Sequence, residues 1–195
     1  AAIGSGFLID VKGFVVTNHH VIAGADRIKV SLDDGETFPA TLIGADKWTD
    51  LALLKIDAGR KLPFVEFGDS SHIRPGDWVM TVGNPFGLGG TVTAGIVSAR
   101  GRDLPGVTMV DFLQIDAPIN RGNSGGPAFD AQGRVIGVNT AIFSPNGGSV
   151  GIGFAIPSDT AKKVIAELKV NGRVARGWLG VAIQSMTLEL ARGLG

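Results

Sequence analysis

The sequence predicts an all-β chain, folded as two small barrels or a sandwich, with one helix near its C-terminal end. Three observations predict it. Glycine supplies 30 of 195 residues, about twice its usual share of ~7%, and it is scattered among Val, Ile and Thr in a way that suits short strands and tight turns. Strand-like runs recur with turn signals roughly every 8–12 residues. One segment alone, Ala161, Val164, Ile165 and Leu168, carries apolar residues at i, i+3, i+4 and i+7, the spacing of a helix face.

Taken in order, the first set of strands is predicted at 6–9, 14–18, 27–32, 37–43 and 51–56. Asp34-Gly35 is a hairpin turn between the third and fourth, because those residue types tolerate the positive φ such turns require. A polar stretch follows, Gly68-Asp69-Ser70-Ser71-His72 and then Arg74-Pro75-Gly76, which reads as a linker. The second set is predicted at 78–82, 91–98, 109–115, 128–130, 135–140 and 151–156, with Asp130-Ala131-Gln132-Gly133 as a turn. Pro157-Ser158 offers the N-terminal cap of the helix and Asn171-Gly172 ends it. The divisions expected are 1–70 and 71–157 for the two strand units and 158–172 for the helix. Residues 177–195 are too few to bury a core alone, and they suggest the opening of a further domain.

Composition excludes several classes. Lys+Arg and Asp+Glu both count 18, giving no net charge, and no run of like charges marks a nucleic-acid or anionic-membrane surface. Apolar runs such as Leu51-Ala52-Leu53-Leu54 fall far below the ~18 residues of a membrane helix. Cysteine is absent, which removes disulfides, zinc-thiolate sites and thiol catalysis together and leaves the compartment open. The start, Ala1-Ala2-Ile3-Gly4, has neither the charged n-region nor the apolar h-region of a signal peptide, so a preceding segment is expected.

The chemistry concentrates in Arg121-Gly122-Asn123-Ser124-Gly125-Gly126-Pro127. A serine between glycines on a tight turn presents its Oγ clear of the backbone and frees neighbouring N–H groups to converge on one point, as a developing oxyanion requires. A bare Gly-x-Ser-x-Gly is often only a turn; the longer string before an apolar strand is more specific. A serine hydroxyl needs a base within reach. His72 lies in the linker and reads as solvated. His19 and His20 end an apolar strand, and if it alternates only one of them faces a given side. The base in turn needs an orienting carboxylate. Asp50, at the mouth of an apolar strand, is the leading candidate, with Asp46, Asp57 and Asp69 reading as turn or surface residues. The order His, Asp, Ser belongs to the chymotrypsin-type barrels, with base and acid in the first unit and nucleophile in the second. The fold class expected is therefore two six-stranded antiparallel β-barrels, chymotrypsin-like, with a C-terminal helix. Strand patterning without alternating helices argues against an α/β-hydrolase esterase.

Several strings resemble the HtrA/Deg (Do-like) serine proteases: Gly4-Ser5-Gly6-Phe7, Thr17-Asn18-His19-His20-Val21, Thr49-Asp50-Leu51-Ala52-Leu53-Leu54-Lys55, Gly83-Asn84-Pro85-Phe86-Gly87, Gln114-Ile115-Asp116-Ala117 running on to Asn120 and the serine motif, and Gly151-Ile152-Gly153-Phe154-Ala155-Ile156-Pro157. The resemblance implies His20 as base, Asp50 as orienting acid and Ser124 as nucleophile. It implies an oxyanion hole at Gly122, Asn123 and Ser124, with the N–H groups of Gly122 and Ser124 as donors. It also implies a shallow apolar first pocket at Ile119, Ile142 and Ile152 that accepts small aliphatic side chains. Asn123 stands where digestive proteases carry an aspartate that pairs with a newly cut N-terminus, so activation by cleavage is not expected. Instead the resemblance implies an oxyanion loop, 118–123, that responds to its neighbours at 87–90, 101–106 and 144–151. The implied function is ATP-independent serine endopeptidase action on unfolded polypeptides in protein quality control; the rival is a chaperone-like binder with an idle triad. No cofactor or metal, no nucleic acid and no membrane span is implied. A bacterial periplasmic location and a homotrimer or a higher oligomer of trimers are implied. Gly177-Trp178-Leu179-Gly180-Val181 resembles the first strand and carboxylate loop of a PDZ domain, a fold that captures peptide C-termini by strand addition.

Overall fold

The computed structural model describes residues 3–87, 89–104, 107–145, 147–177, 180, 192 and 193. Residues Trp178, Leu179 and 181–191, on which most of the PDZ-like reading falls, lie outside them. The first unit comprises β1 (Phe7–Leu8), β2 (Phe14–Asn18), a short helix α1 (His19–Ile22), β3 (Ile28–Ser31), β4 (Thr37–Asp46) and β5 (Leu51–Ile56). The second comprises β6 (Trp78–Gly83), β7 (Thr91–Leu104), β8 (Val107–Ile115), β9 (Pro127–Phe129), β10 (Val135–Ile142) and β11 (Gly153–Pro157), followed by α2 (Ser158–Asn171).

The second unit closes as expected, in the order β10-β11-β8-β7-β6-β9. The first does not. Its five strands form a sheet in the order β1-β2-β5-β4-β3, so two six-stranded barrels are corrected to one closed six-stranded barrel and a five-stranded half-barrel sheet. The five strand signals were all present in the chain. The sixth was expected only because the order His, Asp, Ser points to chymotrypsin-type barrels, and the two-residue β1 offers little edge to close against.

Three other expectations change. His19 and His20 lie on α1 rather than on a strand. The glycine-rich stretch expected from residue 101 is instead the far end of β7, paired with β8 through three irregularities in register. The linker near residue 70 is tied down on both sides. Phe67 bridges to Val135, the Gly68 N–H donates to the Val135 carbonyl at 2.8 Å, and the buried Ser70 hydroxyl donates to Asp159 Oδ2 at 2.9 Å.

Leucine and isoleucine on β5 are buried on both faces (Leu51, Leu53, Leu54, Ile56), which explains a continuous apolar run rather than an alternating one. One face packs with Val15, Ile22 and Leu62. The other joins a larger cluster that includes Phe112, Val138, Phe154 and Ile156 of the barrel and Ala161, Val164, Ile165 and Leu168 of α2. The helical stripe read from the sequence is thus the wedge between the two units. Each such side chain contributes about 1.5–3 kcal/mol on burial. Gly172, at φ 69, caps α2 with its N–H on the Leu168 carbonyl at 2.9 Å, the left-handed stop that glycine allows.

A second tie sits at the far end of β4. Arg176 donates to both carboxylate oxygens of buried Asp46, and the Thr49 hydroxyl donates to Asp46 Oδ2 at 2.6 Å. Asp46 is therefore not the surface turn residue its pattern suggested. Burial would raise its pKa, but the hydrogen bonds and charge of Arg176, with those of Thr49, outweigh burial and hold it below the usual carboxylate range. A lowered carboxyl pKa stabilises the fold above the unfolded-state value of about 3.9, and that share is lost as pH falls through the folded value. Asp46→Asn should lower stability by about 1.5–3 kcal/mol near neutrality. The deficit should shrink below about pH 4. Thermal melting of both proteins across pH reads this directly, and a deficit that did not narrow in acid would contradict it.

Candidate active site

Register brings the first two site residues together. Asn18, the last residue of β2, pairs with Leu51, the first of β5. His20, two residues after one, and Asp50, immediately before the other, therefore meet at one end of one strand pair. Asp50 Oδ2 lies 2.6 Å from His20 Nδ1, and Asp50 Oδ1 accepts the His20 backbone N–H at 2.9 Å. The Asp50 side chain is 10% exposed and that of His20 49%, so the carboxylate is shielded while the imidazole faces the open side. Asp50 adopts φ 57, a left-handed conformation that aspartate tolerates better than most residues and that turns its carboxylate under the helix start. His19 reaches the same residue only through its N–H, which donates to the Asp50 carbonyl at 3.0 Å. Asp69 and His72 pair with each other at 2.8 Å on the surface, and the Ser71 hydroxyl with His72 keeps the Asp69 pKa low.

Ser124 reaches this place from the barrel. It lies three residues before β9, whose Pro127 pairs with Val138 of β10, and this places it beside Thr140. The Ser124 hydroxyl donates to the Thr140 carbonyl at 3.2 Å. Among the described residues no hydrogen bond joins it to His20. The Ser5 N–H donates to the Ser124 carbonyl at 2.8 Å, and the Gly125 N–H donates to the Asn139 carbonyl at 2.7 Å. Thr17 Oγ1 donates to the Ser5 carbonyl at 2.7 Å, so the serine turn is stitched to the strand that leads into His20.

The turn before Ser124 has its own geometry. The Asn123 N–H donates to the Asn120 carbonyl at 3.0 Å, and Gly122 has φ 106 while Arg121 is not in the positive region. Those are the marks of a type II turn, which needs glycine at its third position. The Asn123 N–H is committed to Asn120, so Asn123 belongs to the turn between the two expected donors, Gly122 and Ser124, and its side chain is buried. Gly83 allows that burial, since a Cβ there would meet Asn123 Oδ1 at 2.7 Å. The Ser5 hydroxyl holds the turn by donating to the Gly122 carbonyl at 2.7 Å and accepting from the Asn84 N–H at 2.9 Å. Of the three segments expected to neighbour this loop, 144–151 touches it through the Ser149 N–H, which donates to Asn120 Oδ1 at 3.0 Å.

Beside Ser124 opens a cleft of about 290 Å³ whose apolar wall includes Ile119, Ala141 and Ile142. Ile119 and Ile142, two of the three residues that the resemblance implied for the first pocket, line this cleft. Ile152 does not line the cleft; it packs against the large core cluster. Among the described residues no carboxylate lines the cleft. Sequence reasoning missed Ala141, Thr140 and Asn139, because a strand residue in a β-rich chain carries no local mark of which end meets a cleft.

The model for the trypsin-like peptidase domain matches residues 4–138. The chain belongs to the trypsin-like peptidase family. Its relatives are serine endoproteases of the HtrA/DegP type. It is 62% identical over 193 residues to a probable periplasmic serine endoprotease, DegP-like, of Brucella suis biovar 1 (strain 1330), and 60% identical over 194 residues to one of Bartonella henselae. The matches cover 98% and 100% of this peptidase domain. They cover 38% and 39% of those relatives, so the chain spans little more than a third of their length. Among solved structures, the HtrA-type protease AlgW with a decapeptide is similar with a TM-score of 0.94 at 52% identity, over 99% of this chain and 59% of that one. The serine endoprotease from Yersinia pestis is similar with a TM-score of 0.81 at 45% identity, over 92% of this chain and 62% of that one.

Proposed function

We propose that this trypsin-like peptidase domain is the catalytic part of a periplasmic, ATP-independent serine endopeptidase that cleaves unfolded polypeptides. The observation that carries the reading is the His20–Asp50 pair, 2.6 Å apart, on one unit, with Ser124 lining an apolar cleft on the other. Asp50 holds the proton on Nδ1 and leaves Nε2 as the base. As the Ser124 hydroxyl turns from Thr140 toward Nε2, its proton passes to the imidazole and Oγ bonds to the scissile carbonyl carbon. Negative charge collects on the carbonyl oxygen, where the N–H groups of Gly122 and Ser124 stabilise it. Collapse of that intermediate breaks the C–N bond, with the imidazolium returning its proton to the leaving amine. Water then attacks the acyl-enzyme by the same route in reverse, releasing the acid and restoring Ser124. The narrow cleft walled by Ile119, Ala141 and Ile142 suits a small aliphatic side chain before the cut. A methylene more or less there changes discrimination by only ~1–3 kcal/mol, which suits broad cleavage of unfolded chains.

One observation favours a second reading, a chaperone-like binder of misfolded chains: the Ser124 hydroxyl rests on Thr140 rather than on His20. A fluorophosphonate probe separates the two. The endopeptidase reading expects covalent labelling at Ser124, lost in Ser124→Ala, together with casein fragments cut mainly after Val, Ala or Ile. Casein bound without fragments or labelling would establish the binder.

A further inference from the structure

Asn18 has a side chain that neither the fold nor the proposed chemistry has used. It is 0% exposed and occupies the position immediately before α1, where an asparagine side chain ordinarily caps the first free N–H groups of the helix. Here it makes no such cap. The carboxylate of Asp50 does that work instead, accepting the His20 N–H. The Asn18 amide is turned inward. Its Nδ2 donates to the Asp50 carbonyl at 2.9 Å and to Thr140 Oγ1 at 3.1 Å. Its Oδ1 is buried with no hydrogen-bond partner among the described residues, an arrangement that costs stability. An ordinary core position between two packed units would be filled more stably by an apolar residue of the same size.

The far end of this bridge meets the other half of the site. Thr140 accepts the Asn18 amide on its side chain and the Ser124 hydroxyl on its carbonyl, and its own hydroxyl donates to the Val138 carbonyl at 3.1 Å, completing the chain along β10. One amide therefore touches both the residue that carries the acid, on the half-barrel sheet, and the residue that holds the nucleophile's hydroxyl, on the closed barrel.

We infer that Asn18 and Thr140 form a positioning pin that sets the spacing of Ser124 from His20 across the junction of the two units. The inference rests on the endopeptidase reading. Two units whose contact is mainly apolar can slide by fractions of an ångström at little cost, because dispersion and burial are not directional. A hydrogen-bonded amide at the junction is directional. It fixes the span that the Ser124 hydroxyl must cross when it leaves the Thr140 carbonyl for the imidazole. Misplacement by about 1 Å costs on the order of a hundredfold in turnover.

The test is a double-substitution cycle in the purified protein, with hydrolysis of fluorescein-labelled unfolded casein as the readout. Asn18→Leu keeps the volume and removes the amide. Thr140→Val removes the hydroxyl while leaving the carbonyl under Ser124. Each should lower kcat about tenfold to a hundredfold and leave KM within about twofold, since the Asn18 amide and the Thr140 hydroxyl are bonded to each other and the cleft's apolar wall is unchanged. The double variant should be no slower than the slower single one, as expected when two groups act as a unit. Thr140→Ser, which keeps the hydroxyl, should return kcat to near the wild-type value. Multiplying losses, a loss confined to KM, or a Thr140→Val enzyme as fast as wild type would each overturn the pin while leaving the endopeptidase reading intact. If Asn18→Leu does not fold, the Val and Ser variants at Thr140 decide the matter. A wild-type protein that neither cleaves casein nor labels at Ser124 would overturn the endopeptidase reading, and the pin with it.

Discussion

Asp50→Asn lowers kcat by about 10⁴ and leaves the fold in place. The two side chains are the same size, and Asn also tolerates the left-handed backbone found at φ 57. What changes is the face shown to the imidazole. In the native pair a carboxylate oxygen lies 2.6 Å from Nδ1, and it can only accept, so the proton sits on Nδ1 and Nε2 is free to take one. The other oxygen accepts the His20 N–H at 2.9 Å. An amide satisfies that N–H only through its carbonyl oxygen, which forces its NH₂ toward Nδ1. The ring must then carry its proton on Nε2, where it faces Ser124 as a donor rather than a base. Lost charge adds to the wrong tautomer, because nothing else within the pair stabilises the imidazolium that forms in the transition state. Turnover and circular dichroism measured on the same preparation check the expectation. An Asn variant that folds and retains more than about a tenth of its turnover would show that some other group orients the base.

How much of this pair could be read from the sequence depends on the range of the information. Asp50 stands out locally as a carboxylate before a fully apolar strand, whereas the strand end leaves His19 and His20 open and only the resemblance implies His20. The strands themselves were legible because each carries its own alternation or apolar run. The helix under His20 was not, since a four-residue helix is shorter than the period that reveals one. Closure of the first sheet was not legible either. Five strand signals give the same pattern whether the outer edges meet or stay apart, and that outcome depends on the edges β1 and β3 rather than on any one run.

The longest-range features were the least visible. Arg176 and Asp46 are 130 residues apart in sequence, and neither position carries a mark of the other. The first pocket shows the same limit in reverse. Ile119 and Ile142 face the cleft, whereas Ile152 is drawn into the core, although each reads as an apolar residue near the serine motif. Which side of a β-rich wall a side chain joins is decided by register, and a one-residue change in register exchanges the faces. The motif strings fared better for a physical reason. Ser5, Thr17, and the adjacent pair Gly83 and Asn84 come from three separate strings and converge on the serine turn, where most of their backbone or side-chain freedom is already spent.

That convergence makes Gly125→Ala severely damaging, with an expected loss of about 3–5 kcal/mol from the strain of a positive φ together with overpacking. Gly125 has φ 87, a conformation that residues with a Cβ rarely adopt. An added Cβ would also press into the Ser5 carbonyl oxygen and Thr17 Oγ1, and lie 3.0 Å from the Asn18 N atom. None of these can step aside cheaply. Ser5 O already accepts from Thr17, Ser5 N–H holds the Ser124 carbonyl, and Asn18 ends the strand that positions His20. Relief therefore has to come from the serine turn itself, which breaks the Gly125 N–H bond to Asn139 and swings Ser124 away from the cleft. Gly133→Ala separates the two causes. Gly133 has a similar φ of 75 but nothing within 4 Å of an added Cβ, so it bears the backbone strain alone, about 1–3 kcal/mol, far from the site. Denaturant melts and casein hydrolysis on both variants should show the Gly125 protein markedly less stable and nearly inactive, and the Gly133 protein modestly less stable with normal turnover. Equal losses of stability in the two would mean that backbone strain, and not the crowding around Ser5 and Thr17, sets the cost; normal turnover at Gly125→Ala would mean that Ser124 does not depend on this turn for its place.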